Sequence, residues 1–224
     1  MRKKSDNIQL AATDLSNFLA CRHLSTLDFG AAVDGTERPV RYGPVIDELR
    51  ARGLAHEERY LAHLIEQGLS VARVGALEAE EKPAARAVER TREVLASGAD
   101  VVYQATLEDG TWFGRADFLV KVPKPSALGD WSYEVVDTKL ARDTRAGTIL
   151  RLCVHSLLLP RGLGFSRFSG FGGTVHLCDT KSHRCTVPGN GNGTRNADPP
   201  IIPPPDTPTH TPRARISGCR ARSK

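Results

Sequence analysis

No stretch of this 224-residue chain approaches the roughly 20 consecutive apolar residues that a membrane-spanning helix needs. The basic start Met1-Arg2-Lys3-Lys4 runs into polar residues, with no apolar leader segment behind it. A cytoplasmic protein with no membrane partner is therefore the expectation. Its five cysteines, Cys21, Cys153, Cys178, Cys185 and Cys219, are odd in number, show no disulfide-like spacing and include no C-x-x-C. Reduced thiols follow. No internal repeat recurs at a fixed period. Basic charge is scarce where a nucleic-acid-binding core would need it. Residues 1–160 carry 21 Lys+Arg against 23 Asp+Glu, and residues 161–224 carry 10 against 3, so the formal +5 comes from the C-terminal part.

The 40% apolar content suffices for one α/β domain. A helix is expected from Thr13-Asp14, a capping pair, with Leu15, Phe18, Leu19 and Leu24 at helical spacing. After the loop Gly35 to Pro44, helical spacing returns at Val45, Leu49, Leu61, Leu64 and Ile65, with Gly53 as a break point. Lys82 to Ser97 is a further helix with Pro83 in its first turn and Gly98 closing it. The period then shortens. Asp100 to Leu107, Thr111 to Val122 and Trp131 to Leu140 read as strands in meander order, with Asp109-Gly110 as a hairpin turn. A helix from Gly147 to about Leu159 completes an α/β core with a mixed sheet, antiparallel at least in part. Periodicity ends near residue 160. Residues 188–224 hold 8 of the 14 prolines, too little apolar area to offset roughly 1–2 kcal/mol of ordering per residue, so 161–224 is expected to be a disordered, basic tail.

Candidate chemistry sits on the second and third strands. In Tyr133-Glu134-Val135-Val136-Asp137-Thr138-Lys139 the two-residue period puts Asp137 and Lys139 on one face and Glu134 on the other. A carboxylate that holds Mg2+ beside an ammonium that steadies the attacking water is what metal-assisted phosphodiester hydrolysis requires. Alone, D-x-K is an ordinary ion pair. Asp117 adds weight, because a single acid inside the apolar strand Trp112 to Val120 is costly unless it is paired or ligates a cation. Pairing with Lys139 or Arg115 would meet that cost as well.

Together, G-R-A-D-F-L and Y-E-V-V-D-T-K resemble the second and third motifs of RecB-like PD-(D/E)xK nucleases. The opening A-A-T-D-L-S-N-F-L-A-C-R-H-L-S-T-L-D, the stretch R-G-L-A-H-E-E-R-Y-L and the run through G-T-I-L resemble the same group. The similarity spans roughly residues 9–157. It implies a restriction-endonuclease-like core, Asp117, Asp137 and Lys139 as catalytic residues, and His56, Asp117 and Asp137 as ligands of Mg2+ or Mn2+. Neutral imidazole suits Mn2+. Glu57, the neighbour of His56, is expected to face solvent. The implied substrate is DNA, single-stranded DNA included, and relatives carry helicase or further nuclease segments.

The chain departs from that pattern in three places. Relatives carry Gln and Tyr one turn apart on the next helix; here Arg151 and His155 stand there, as expected contacts to the nucleic acid. Many relatives bind an iron-sulfur cluster with one N-terminal cysteine and three near the end of the domain. Cys21 matches the first, and no matching trio follows, so that cluster is expected to be incomplete. The soft ligands of His176-x-Cys178 and His183-x-Cys185 match no standard zinc spacing. The resemblance ends near Ser156, as in a truncated or frameshifted relative, which makes loss of activity an expectation too. Two other functions fit the same residues: a non-catalytic metal- or nucleic-acid-binding remnant, and a phosphodiesterase acting on RNA.

Overall fold

A computed structural model of the chain describes residues 1–37, 43–75, 83–140, 145–162, 171–177 and 182–187. Strands β1 (Arg2–Lys4) and β2 (Asn7–Gln9) form a small antiparallel hairpin. Leu10 ties it to the body: its N–H donates to Thr111 O (2.9 Å) and its carbonyl accepts from Phe113 N (2.8 Å).

Two helices follow where the spacing suggests one. Cys21 is extended (φ −160°, ψ 111°), ending α1 (Ala12–Ala20) and opening α2 (Arg22–Val33). The expected inward stripe is corrected accordingly, for Phe18, Leu19 and Leu24 are exposed. Asp14, buried in the first turn, accepts from Ala11 N at 2.7 Å and satisfies a backbone donor of the helix start from inside the helix.

Helix α3 (Pro44–Glu66) opens on a proline, whose fixed φ suits the first turn and whose missing N–H costs nothing there. It runs unbroken through Gly53, since a helical glycine costs only about 1 kcal/mol. Tyr60, Leu61 and Leu64 are its buried residues, while Val45, Leu49 and Ile65 are exposed. Its C-terminal half is thus the part that covers the sheet.

The remaining elements are β3 (Val71–Arg73), α4 (Pro83–Ser97), β4 (Val101–Glu108), β5 (Phe113–Val122), β6 (Ser132–Lys139), α5 (Ala146–Gly162), β7 (Phe171–Leu177) and β8 (Ser182–Val187). They build one mixed sheet in the order β3-β4-β5-β6-β7-β8, parallel at β3/β4 and β6/β7 and antiparallel elsewhere. The fold is α/β. The meander β4-β5-β6 and the turn at Asp109-Gly110 match the sequence pattern. The Asp109 carboxylate accepts from Thr111 N (3.1 Å) and Trp112 N (2.8 Å), and Gly110 takes φ +93°.

Beyond residue 160, where the sequence reading assigns no ordered element, β7 pairs along β6 from Val135↔Gly173 to Lys139↔Leu177, and β8 pairs with β7. The open edge of β6 supplies a hydrogen-bond ladder to a segment too poor in apolar residues to order itself. For β7 and β8 the backbone alone is described. Residues 163–170, 178–181 and 188–224 of the expected tail lie outside the described residues.

Each face of the sheet carries its own core. On one, Tyr60, Leu61 and Leu64 of α3 pack against Val101, Tyr103, Phe118 and Val136. Tyr60 and Tyr103 each set their rings 5.1 Å from that of Phe118. On the other, Leu95 of α4 and Leu152, Val154, Leu158 and Leu159 of α5 meet Val102, Ala105, Leu107, Ala116, Leu119, Tyr133 and Val135. Among the described residues, no helix is long and apolar enough to cross a membrane.

Candidate functional site

Strands β4 and β5 pair regularly from Val101↔Val120 to Tyr103↔Phe118 and resume with the same offset at Ala105↔Ala116. The pair left out is Gln104 and Asp117. Gln104 takes φ +59°, the left-handed region that a non-glycine residue enters at a cost of roughly 1–2 kcal/mol. Side chains change face across this step. Tyr103 and Phe118 belong to the core under α3, whereas Ala105 and Ala116 belong to the core under α5. The bridges between β5 and β6 run up to Phe118↔Val136, so Asp117 and Asp137 are the first residues past the paired segment. The kink therefore sets Asp117 where the two cores part, within electrostatic reach of Glu57 on α3 and of Arg151 on α5.

Around that point the ionisable groups converge. Lys139 Nζ lies 2.5 Å from Asp137 Oδ1 and 3.4 Å from Asp117 Oδ2, and it donates to Thr138 O at 2.9 Å. The carboxyl groups of Asp117 and Asp137 stand within hydrogen-bonding reach of each other, although no donor meets Asp137 Oδ2. Asp137 is 2% exposed. Burial and then the neighbouring Asp117 push it up to about 7, against the pull of Lys139. Burial also works upward on Asp117, but the bond from Asp137, then Lys139 and Arg151, hold it below the ordinary carboxylate value. The pair thus keeps one proton well above the usual acid range.

His56 of α3 belongs to the same neighbourhood. Burial, then the charges of Arg59 and Lys139, lower its pKa, which keeps the imidazole neutral near pH 7. Its Nε2 is buried without a hydrogen-bond partner.

Glu57 corrects an expectation. It does not face solvent: its Oε2 accepts from Tyr103 Oη (2.9 Å) and Gln104 Nε2 (2.9 Å), and its carboxyl group reaches Asp117. Burial and then Asp117 raise its pKa, partly offset by the Tyr103 bond. The signal was available, because Glu57 shares a helical stripe with the buried Tyr60, Leu61 and Leu64. Glu134 lies on the other face of β6, opposite Val120, as alternation requires.

His155, expected as a nucleic-acid contact, is buried at 4% exposed. A Cβ on Gly114 would stand 2.5 Å from its Nε2, so the ring fills the space the glycine leaves. Burial, then Arg151, lower its pKa to about 4. Arg151 is half-buried, with its charge near Asp117 and His155. Cys21 is exposed and Cys153 half-buried, and neither forms a disulfide. Cys178 and Cys219 lie outside the described residues, as do the side chains of His176, His183 and Cys185.

Among the described residues, no three His, Cys, Asp or Glu side chains stand in ready-made ligating geometry. Carboxylate oxygens are nonetheless the donor type that a hard divalent cation takes. Two facing buried carboxylates with an unpartnered oxygen require a proton or a cation between them, and a neutral imidazole nitrogen lies nearby without a partner. No protein-family model and no curated protein matches this chain.

Proposed function

We propose that this domain is a phosphodiesterase dependent on Mg2+ or Mn2+, acting on DNA, of the RecB-like nuclease type that its motifs resemble. The observation that carries the reading is the convergence of Asp117, Asp137 and Lys139 where the strands part, with Asp137 Oδ2 and His56 Nε2 buried and unpartnered. His56, Asp117 and Asp137 would hold the ion. When bound, such an ion supplies Lewis-acid charge to a phosphoryl oxygen and lowers the pKa of a bound water. Lys139, fixed by the Thr138 carbonyl and the Asp137 carboxylate, offers its ammonium to the attacking water or to negative charge developing on phosphorus. Arg151 adds positive charge on the α5 side.

One observation favours a second reading, a remnant that binds cations without turnover. Three protein acceptors, Asp117, Asp137 and Thr138, already surround the Lys139 ammonium.

Labelled single-stranded DNA, duplex DNA and RNA, incubated with the chain in Mg2+ or Mn2+, separate these readings. DNA cleavage that EDTA stops and Lys139→Ala abolishes is the expected result. Mn2+ binding without cleavage selects the remnant. Cleavage of RNA alone reassigns the substrate, and full activity in Lys139→Ala removes the nuclease assignment.

A further inference from the structure

The face of α3 that buries Tyr60 and Leu64 does not stop at the sheet. Back along the helix, at intervals of three and four residues, it continues through His56, Gly53 and Leu49 to Ile46 and Val45. Every residue from Pro44 to Arg52 is exposed. Val45 (70%), Ile46 (39%) and Leu49 (52%), with Leu54 (54%) at the side, therefore hold an apolar stripe of the order of 400 Å2 in water, comparable to the largest patch on a typical monomer. Gly53 lies within the stripe, and a Cβ there would have no neighbour within 4 Å. A mid-helix glycine is unfavourable, and no contact among the described residues accounts for this one.

We infer that the first half of α3 is the contact face of a homodimer, two copies packing antiparallel about a two-fold axis at Leu49. The dimer does not depend on the metal-dependent reading above. The charges beside the stripe select the occupant. Asp47 and Arg50 lie along one edge, 3.9 Å apart, and Glu48 and Arg52 along the other, 2.7 Å apart. A two-fold axis brings each edge against its own copy, so an edge complements itself only when it holds both signs. Both edges do. In the register centred on Leu49, Asp47 comes level with the partner's Arg50 and Glu48 with the partner's Arg52. Val45 crosses the partner's Gly53, whose missing side chain lets the backbones approach. Two acids balanced by two bases offer no basic face to nucleic acid or to an anionic membrane. The stripe is about half of the roughly 800 Å2 per partner of a standard interface, so the dimer is a weak one, with a Kd of the order of 10–100 µM.

Sedimentation velocity of the full chain from about 5 to about 500 µM should show the passage from monomer to dimer. Leu49→Glu sets two carboxylates against each other at the axis and is expected to raise the Kd roughly tenfold or more. Its Tm at low concentration should match that of the parent, because Leu49 is exposed in the monomer. Leu27→Glu, at an exposed apolar position on α2, should dimerise as the parent does. Asp47→Lys leaves one edge wholly basic, and Arg50→Glu leaves it wholly acidic. Each alone should associate roughly fivefold more weakly, and an equimolar mixture of the two should recover the dimer of the parent. If circular dichroism shows Leu49→Glu unfolded, Leu49→Gln takes its place with the same direction expected.

A parent chain that stays monomeric at the highest concentration overturns the dimer, whether the stripe is then covered by another part of the same chain or left in water. A dimer that Leu49→Glu leaves intact, or that Leu27→Glu breaks to the same degree, overturns the face. Failure of the Asp47→Lys and Arg50→Glu mixture to recover the dimer overturns the two-fold register.

Discussion

Gly114 shows how a single missing side chain shapes the site. Its Cβ would meet His155 Nε2 at 2.5 Å and Cδ2 at 2.6 Å, closer than any carbon tolerates, and the imidazole is too buried to swing aside. Gly114→Ala should therefore destabilise the protein by about 1–3 kcal/mol, the usual cost of overpacking a filled core. Urea unfolding measures it. In a His155→Ala background the same change should cost far less, because the clash partner is gone; equal costs in the two backgrounds would mean that the contact is not the cause. The charged residues obey a similar logic of neighbours. Asp117 and Asp137 are recognisable from the sequence because an acid in an apolar strand demands a partner, and the structure provides Lys139 to both. The helix-borne carboxylate of Glu57 carries a weaker signal, its place on one stripe with the buried Tyr60, Leu61 and Leu64, which its position beside His56 masks.

That distortion belongs to the element scale. Gln104 carries φ +59° within β4, and the change of face on both strands depends on it. Because that left-handed backbone is costly, Gln104→Gly should be more stable than Gln104→Ala by about 1 kcal/mol, since both lose the bond to Glu57 and glycine alone loses the strain. In an ordinary strand the order reverses, because glycine is the poorer strand former. Thermal unfolding of the two variants decides it. The elements that were legible are those with strong local signals: the Asp109-Gly110 hairpin, the proline-led helices α3 and α4, and the β-branched runs of β4 to β6. Those that were not derive their order from elsewhere. Strand β3 is three residues long and gains its ladder from β4, while β7 borrows the edge of β6. The break at Cys21 leaves no compositional trace, for the apolar spacing continues across it while the backbone turns extended.

At the scale of the whole molecule, the layers on the two faces of the sheet meet at one ionisable cluster, so the pH dependence of stability reports on the site. His155, buried among Arg151, Lys139 and Asp117, has its pKa lowered from 6.5 to about 4. The native state therefore binds fewer protons than the unfolded chain between those values. Its contribution is present in full above about pH 6.5 and is lost as pH falls toward 4, a change of the order of 3 kcal/mol. Asp137 acts with the opposite sign. Its pKa is raised from 3.8 to about 7, so the native state holds a proton that the unfolded chain releases, and stability falls as pH rises through the same window. In the parent, with EDTA present, the two slopes largely cancel, and the stability measured by urea unfolding should change little between pH 4 and pH 7. Each variant unmasks the other group. Asp137→Asn should gain stability as pH rises from 4 to 6.5, because His155 then acts unopposed, whereas His155→Leu should lose stability over that range. Both slopes come from burial, which salt screens weakly, so 0.5 M NaCl should leave their signs unchanged. A His155→Leu variant with the flat profile of the parent would show that the imidazole is not held neutral by the fold, and the packing assigned to Gly114 would fall with it.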